Sequence, residues 1–408
     1  MRRRRGAMAP LVAGAVIATL TVTGCADRRV APAGIGGALF GSGADEQALR
    51  ATARKEGQAL VERTTTVDDA RLEAYLMRIG ERVGGEELRV AGGPDLRFVV
   101  ILDPTLNAFA MPDGRVYVHT GLLSHLDNEA QLATILAHEL AHVTRRDALR
   151  SAARPSGRAG DPLAGGLRSP TANAIVGLGL TLAATAAVSG YGGDREREAD
   201  REGLERLVGA GYDPREAPRA FRALLSAAGE GGPVESFFLG NVAELRERSE
   251  TISRLVTTTH AAAAAEPGRV VTSGDFELRR RPVVRENAAG DIRLGRFALA
   301  RRQLDRLLRE TPTDPLVHLA YGELHRLQAQ RAPSADARAR LARQAAERYE
   351  RAAALDPSLA DPYRQLGFLH YDRRDAPRAK AAFERYLELN PDAPDAQRIK
   401  EYLVELSR

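Results

Sequence analysis

The 408-residue sequence contains no tryptophan, four methionines and a single cysteine, and aromatic side chains make up only 5% of it. One cysteine closes no intrachain disulfide and builds no thiolate cluster, so the fold must rest on packing and any metal must take nitrogen and oxygen ligands. An aromatic-interleaved basic stripe is also missing. The 59 basic side chains face 54 acidic ones, and four of the arginines stand at Arg2 to Arg5. Set those aside and the rest is nearly balanced, which gives no support to nucleic-acid binding, and no nucleic-acid partner is expected.

Those arginines precede an apolar run from about Ala7 to Val22 and then Val22-Thr23-Gly24-Cys25. A positive start, an apolar stretch and a small-residue end make a secretory signal peptide. Its last four residues resemble the bacterial lipobox, which assigns residues 1–25 as a lipoprotein signal with Cys25 as the lipidated residue. Residues 26–44 are rich in Gly, Ala and Pro and read as a flexible tether.

Downstream, patterning predicts a helix over Asp45 to Thr64 and a second one capped by Asp68, with Leu72, Tyr75, Leu76 and Ile79 on one face. Strands are expected over Arg97 to Leu102 and Arg115 to His119, joined through the turn at Pro112-Asp113-Gly114. Asn128 to Arg146 reads as a long helix, amphipathic over Leu132 to Val143. The uncharged run Ala172 to Val188 suits a closely packed buried helix, with a membrane-dipping role left open. A connector over 257–284 leads to an internal repeat. Tyr363, Leu366-Gly367, Ala379, Phe383 and Pro391 occupy their places in a 34-residue helical hairpin, and Asp356-Pro357 and Asn390-Pro391 are one period apart. This looks like a tetratricopeptide repeat. A preceding unit carries about 11 extra residues around Gln328 to Arg340, and a degenerate one starts near Arg285. The repeat domain is therefore expected over 285–408, behind a first domain over 45–256.

His138-Glu139-Leu140-Ala141-His142 is an H-E-x-x-H motif. On a helix, residues one turn apart share a face, so both imidazoles can meet one Zn²⁺ while Glu139 addresses a water as catalytic base. A hydrolytic zinc site needs a third protein ligand and an open position. Glu196 and Asp200 supply E-x-x-x-D: Glu196 as the third ligand, Asp200 orienting a ligating histidine from behind. Glu198 points to a different face.

With these motifs the chain resembles the zinc metallopeptidase family of HtpX, the CAAX prenyl endopeptidases and the periplasmic β-barrel-assembly-enhancing proteases, whose secreted branch adds tetratricopeptide repeats. The residues that carry the resemblance are Asn107 to Pro112, Gly121-Leu122-Leu123, His138 to Val143, Glu196 to Asp200 and Gly211-Tyr212-Asp213-Pro214. It implies an α+β, mainly helical gluzincin-type domain with a small β-sheet, followed by an all-α repeat domain. It also implies one zinc per chain, with Asn107, Ala108, Phe109 and Ala110 as an edge strand for extended substrate. The clients implied are unfolded or misassembled envelope proteins. The repeats would dock onto outer-membrane assembly machinery, and the protein would be periplasmic, anchored by lipid, with the outer membrane favoured over the inner. Relatives in the secreted branch carry a His-Pro in the loop after the third-ligand helix; Asn241 falls where that histidine is expected, as a lid residue facing the fourth metal position. The rival reading is a non-catalytic periplasmic scaffold around a structural zinc. Retention of the base Glu139 argues against it.

Overall fold

The computed structural model describes residues 2–4, 44–88, 94–152, 191, 193–229 and 242–407. They form two compact units, residues 1–280 and 281–408. Cys25, Asn241, residues 26–43 of the tether and the apolar run over 172–188 lie outside the described residues, and Ala44, read as the last residue of the tether, is helical.

In the first unit, β1 (Arg2–Arg4), β2 (Thr66–Asp68), β3 (Arg97–Ile101), β4 (Ala108–Ala110) and β5 (Arg115–His119) form one sheet in the order β1-β2-β3-β5-β4, in which β1 lies within residues 1–25, the stretch read above as a signal peptide. Its helices are α1 (Ala44–Arg63), α2 (Ala70–Gly84), α3 (Thr120–His125), α4 (Glu129–Thr144), α5 (Asp147–Ala152), α6 (Gly193–Gly209), α7 (Glu216–Gly229), α8 (Val242–Thr257) and the short α9 (Ala261–Ala265).

Three expectations need correcting. The residue that caps α2 is Asp69, whose side chain accepts from the N–H groups of Arg71 and Leu72, whereas Asp68 closes β2. The strands expected to be joined through the turn at Pro112-Asp113-Gly114, β3 and β5, run parallel. Residues 102–114 leave room for β4, and it is β4 that turns back antiparallel onto β5 through Pro112-Asp113-Gly114. Gly114 sits at φ 94°, where an added Cβ would meet Pro94 at 2.7 Å, so this turn requires glycine. Lastly, α4 is not amphipathic in place: every residue from Glu129 to Thr144 is buried. The helix threads between α2, α6, α7 and β4, which suits a sequence apolar on all sides except for its motif. Asn128 starts it by accepting from the Gln131 N–H.

Helix α10 (Gly274–Leu294) runs across the boundary at residue 280, and in the second unit its later turns, α11 (Phe297–Glu310), α12 (Pro315–Gln330), α13 (Ala335–Leu355), α14 (Ala360–Asp372), α15 (Ala376–Leu389) and α16 (Ala396–Glu405) stack as hairpins. Gly367 lets Phe383 lie against α14, and Gly322 does the same for Tyr349 against α12; an added Cβ would come within 2.4 Å and 2.2 Å of those rings. The extra residues of the middle unit lengthen its helices instead of forming a loop: α12 and α13 have 16 and 21 residues against 13 and 14 in α14 and α15. The Gly-to-aromatic contact that defines the hairpin is thereby kept. Among the described residues no helix is long and apolar enough to cross a membrane.

Candidate metal centre

His138 and His142 leave the same face of α4, with Nε2 atoms 3.1 Å apart. Glu196, in the first turn of α6, reaches both: Oε2 is 3.3 Å from His138 Nε2 and Oε1 is 3.6 Å from His142 Nε2. Two ligand atoms at about 2.0–2.1 Å from a tetrahedral ion lie about 3.3–3.4 Å apart, so this triangle has the size of one tetrahedral face. The close approach of α6 to α4 depends on Gly203, where a Cβ would stand 3.0 Å from the His138 backbone nitrogen.

The chemistry of the donors points the same way. His138 Nδ1 meets Asp200 Oδ1 at 2.9 Å, and His142 Nδ1 meets Asp147 Oδ2 at 2.9 Å. With each Nδ1–H given to a carboxylate, the two Nε2 lone pairs and a carboxylate converge on one buried point and require a cation there. Protons and a metal compete for those atoms. Burial would raise the Glu196 carboxyl, but the His142 charge, hydrogen bonds from both histidines and the Arg248 guanidinium hold it well below the usual range. Burial disfavours charge on His142 too, yet Glu196 and Asp147 lift it to about 10. The residues present therefore fit a zinc ion.

Glu139, only 3% exposed, lies beside the trio. Burial pushes its carboxyl up to about 7, with Glu196 adding to the shift and His138, His142 and the Ala110 N–H opposing it. That N–H, on β4, donates to Glu139 Oε2 at 2.9 Å. Asn107 and Phe109 face β5 through their backbone, as in the 2.9 Å bond from His119 N–H to the Asn107 carbonyl, and β4 is the last strand of the sheet. Glu198 turns away to Arg145 and is half-exposed.

Three contributors were missed in the sequence. Asp147 is one. Arg248, on α8, is another: its Nε and Nη2 grip Asp200 at 2.8 and 2.7 Å, and its Nη1 lies 3.3 Å from Glu196. Tyr191 is the third; its ring packs on His142 at 4.6 Å and its N–H donates to Glu196 Oε1 at 3.0 Å. Arg248 was detectable, because it shares the i, i+3/i+4 stripe of Leu245, Ile252 and Val256, where a cation is buried and must find carboxylates.

Residues 70–260 match peptidase family M48, and residues 334–404 match a tetratricopeptide repeat. This chain carries an M48 peptidase domain followed by tetratricopeptide repeats. It is homologous to a putative β-barrel assembly-enhancing protease of Vibrio cholerae, 30% identical over 59% of this chain and 50% of the relative. The β-barrel assembly-enhancing protease of Escherichia coli is 29% identical over 52% and 44%. The mitochondrial metalloendopeptidase OMA1 of Arabidopsis thaliana is 32% identical over 32% and 26%. The chain spans about half the length of the two bacterial relatives. The M48 family implies a metal, and His138, His142 and Glu196 are its candidate holders.

Proposed function

We propose that the protein is a zinc-dependent endopeptidase of the bacterial cell envelope that cuts misfolded or misassembled envelope proteins. The observation that carries this reading is the convergence of three inward donors, each histidine backed by a carboxylate, with a buried Glu139 alongside. Zinc held by His138, His142 and Glu196 would supply Lewis acidity to a peptide carbonyl and to an attacking water. Glu139 takes the proton of that water and passes it to the leaving amine; a carboxyl near neutrality can do both. The Ala110 N–H fixes Glu139 at the sheet edge. Apart from the Ala110 N–H taken by Glu139, the outward main-chain groups of Ala108 and Ala110 offer pairing to an extended substrate, which suits a peptidase that reads backbone more than sequence.

The envelope setting rests on the names of the two bacterial relatives and on the signal ending at Cys25, with a lipid anchor favouring the outer membrane and the repeats docking clients or assembly machinery. Elemental analysis and cleavage of an unfolded protein test the core of the reading. The native chain should hold one zinc and turn substrate over. Glu139→Gln should keep the metal and lose about 10²–10⁴-fold in rate. Undiminished cleavage by Glu139→Gln refutes the mechanism, and zinc without turnover in the native chain favours the scaffold.

A further inference from the structure

Among the described residues of the first unit Asp147 is the most enclosed acid, with no exposed surface at all, yet it lies just past the end of α4, five residues beyond His142. A continuing helix would carry that position away from His142. The chain instead turns at Arg146, a non-glycine residue at φ 56°, in the left-handed region that branched and long side chains seldom occupy. That one turn sends Asp147 back to the histidine. Strain of this kind persists only where the surroundings enforce it, and here they do. Arg195 reaches over from α6 to the carbonyls of Asp147 and Arg150 at 3.2 and 3.3 Å. Arg150 donates to Asp147 Oδ1 at 3.2 Å, and Arg145 lies 3.6 Å from Oδ2. One carboxylate oxygen is thus held by an arginine while the other faces His142 Nδ1 at 2.9 Å.

We infer that Asp147 is the positioning residue of His142: its carboxylate accepts the hydrogen bond from Nδ1–H, which keeps the proton on Nδ1, fixes the tautomer and turns Nε2 toward the metal, doing for this ligand what Asp200 does for His138. The inference rests on the zinc-peptidase reading. The left-handed turn at Arg146 and the arginine cage are the devices that deliver it. Losing such a partner weakens metal binding by about 10–100-fold even though no ligand atom is removed. Asp147 touches neither metal nor substrate, so its loss acts on the metal site before it acts on chemistry.

The test uses the full chain, stripped of metal and titrated with Zn²⁺ against a chromophoric chelator, with Co²⁺ loading to read the ligand field. Asp147→Asn keeps the volume and is expected to fold, with zinc binding about 10–100-fold weaker and an altered visible Co²⁺ spectrum. Asp147→Ala should lose at least as much. If Asp147→Asn folds and binds zinc as tightly as the native chain with the same Co²⁺ spectrum, the inference is overturned. Should Asp147→Ala fail to fold, Asp147→Asn alone decides. His142→Ala, measured in parallel, separates the two levels. Zinc affinity unaffected by His142→Ala sinks the underlying site, whereas affinity lost there but kept in Asp147→Asn sinks this inference only.

Discussion

Replacing Arg248 by methionine keeps much of the side-chain volume against Phe221, whose ring lies 5.1 Å from the guanidinium carbon, and removes a buried cation from between two carboxylates. The Arg248 side chain is 7% exposed, Asp200 4% and Glu196 14%, so solvent screens little. Removing one partner of a buried ion pair costs about 3–5 kcal/mol, because the other charge is left uncompensated. For a domain of this size each kcal/mol moves Tm by about 2–4 °C, so the metal-free variant should melt about 6–20 °C below the native chain. Zinc changes the balance. The ion is itself a counter-charge for Glu196, leaving only the Asp200 share uncovered, so with saturating zinc the deficit should shrink to about half. Thermal melts followed by circular dichroism, with chelator and with excess zinc, read both values. Equal deficits in the two conditions would refute the shared counter-ion. A fall below about 2 °C without metal would mean that the pair contributes almost nothing.

Gly203→Ala should push α6 from α4 at His138, costing about 1–3 kcal/mol and weakening zinc binding, as urea titration and chelator competition would show; native values for both would mean that the helices yield freely. Asp291, 1% exposed, has its carboxyl pushed up to about 6 by burial, against help from Gln303 and Arg296. Its folded pKa exceeds the unfolded one, so the stability it lends is complete below about pH 4 and is lost as pH rises through about 6. Asp291→Asn should therefore stabilise the repeats by about 1–3 kcal/mol at pH 8 and by nothing at pH 4; a gain that does not vary with pH would contradict this. If Cys25 is lipidated as proposed, Cys25→Ser should abolish incorporation of labelled fatty acid in cells, and continued labelling would refute Cys25 as the lipidated residue.

Most of the frame could be read from local pattern. The stripe of α2, the strands β3 and β5 and the repeat hairpins each depend on residues a few positions apart. The same holds for His138, Glu139 and His142, which one helical turn brings together, and for the pairing of Glu196 with Asp200. The parallel run of β3 and β5 did not show, because nothing in a strand's own sequence states the direction of its neighbour, and β4 has only three residues. The burial of α4 on all sides was misread as amphipathic because its polar residues, which form the site, mimic a solvated face.

The residues behind the ligands were hidden for a different reason. Asp147 stands amid Arg145, Arg146 and Arg150, and Arg248 amid Glu244, Arg246, Glu247 and Glu250, so both sit in stretches that by composition describe a solvated surface. What distinguishes them is position. Arg248 occupies the apolar stripe of α8, and Asp147 follows a left-handed turn that no helix pattern announces. A charge on an apolar stripe has to be matched by opposite charge contributed from another element, and here α6 contributes Asp200 and Glu196. The match also reads the other way: burying two carboxylates spaced one turn apart on a helix that packs against H-E-x-x-H costs less when a cation other than the metal shares them. Read in that direction, the Glu196 and Asp200 pair calls for a buried arginine from a third helix, and of the arginines on α8 only Arg248 lies on the stripe that could deliver it.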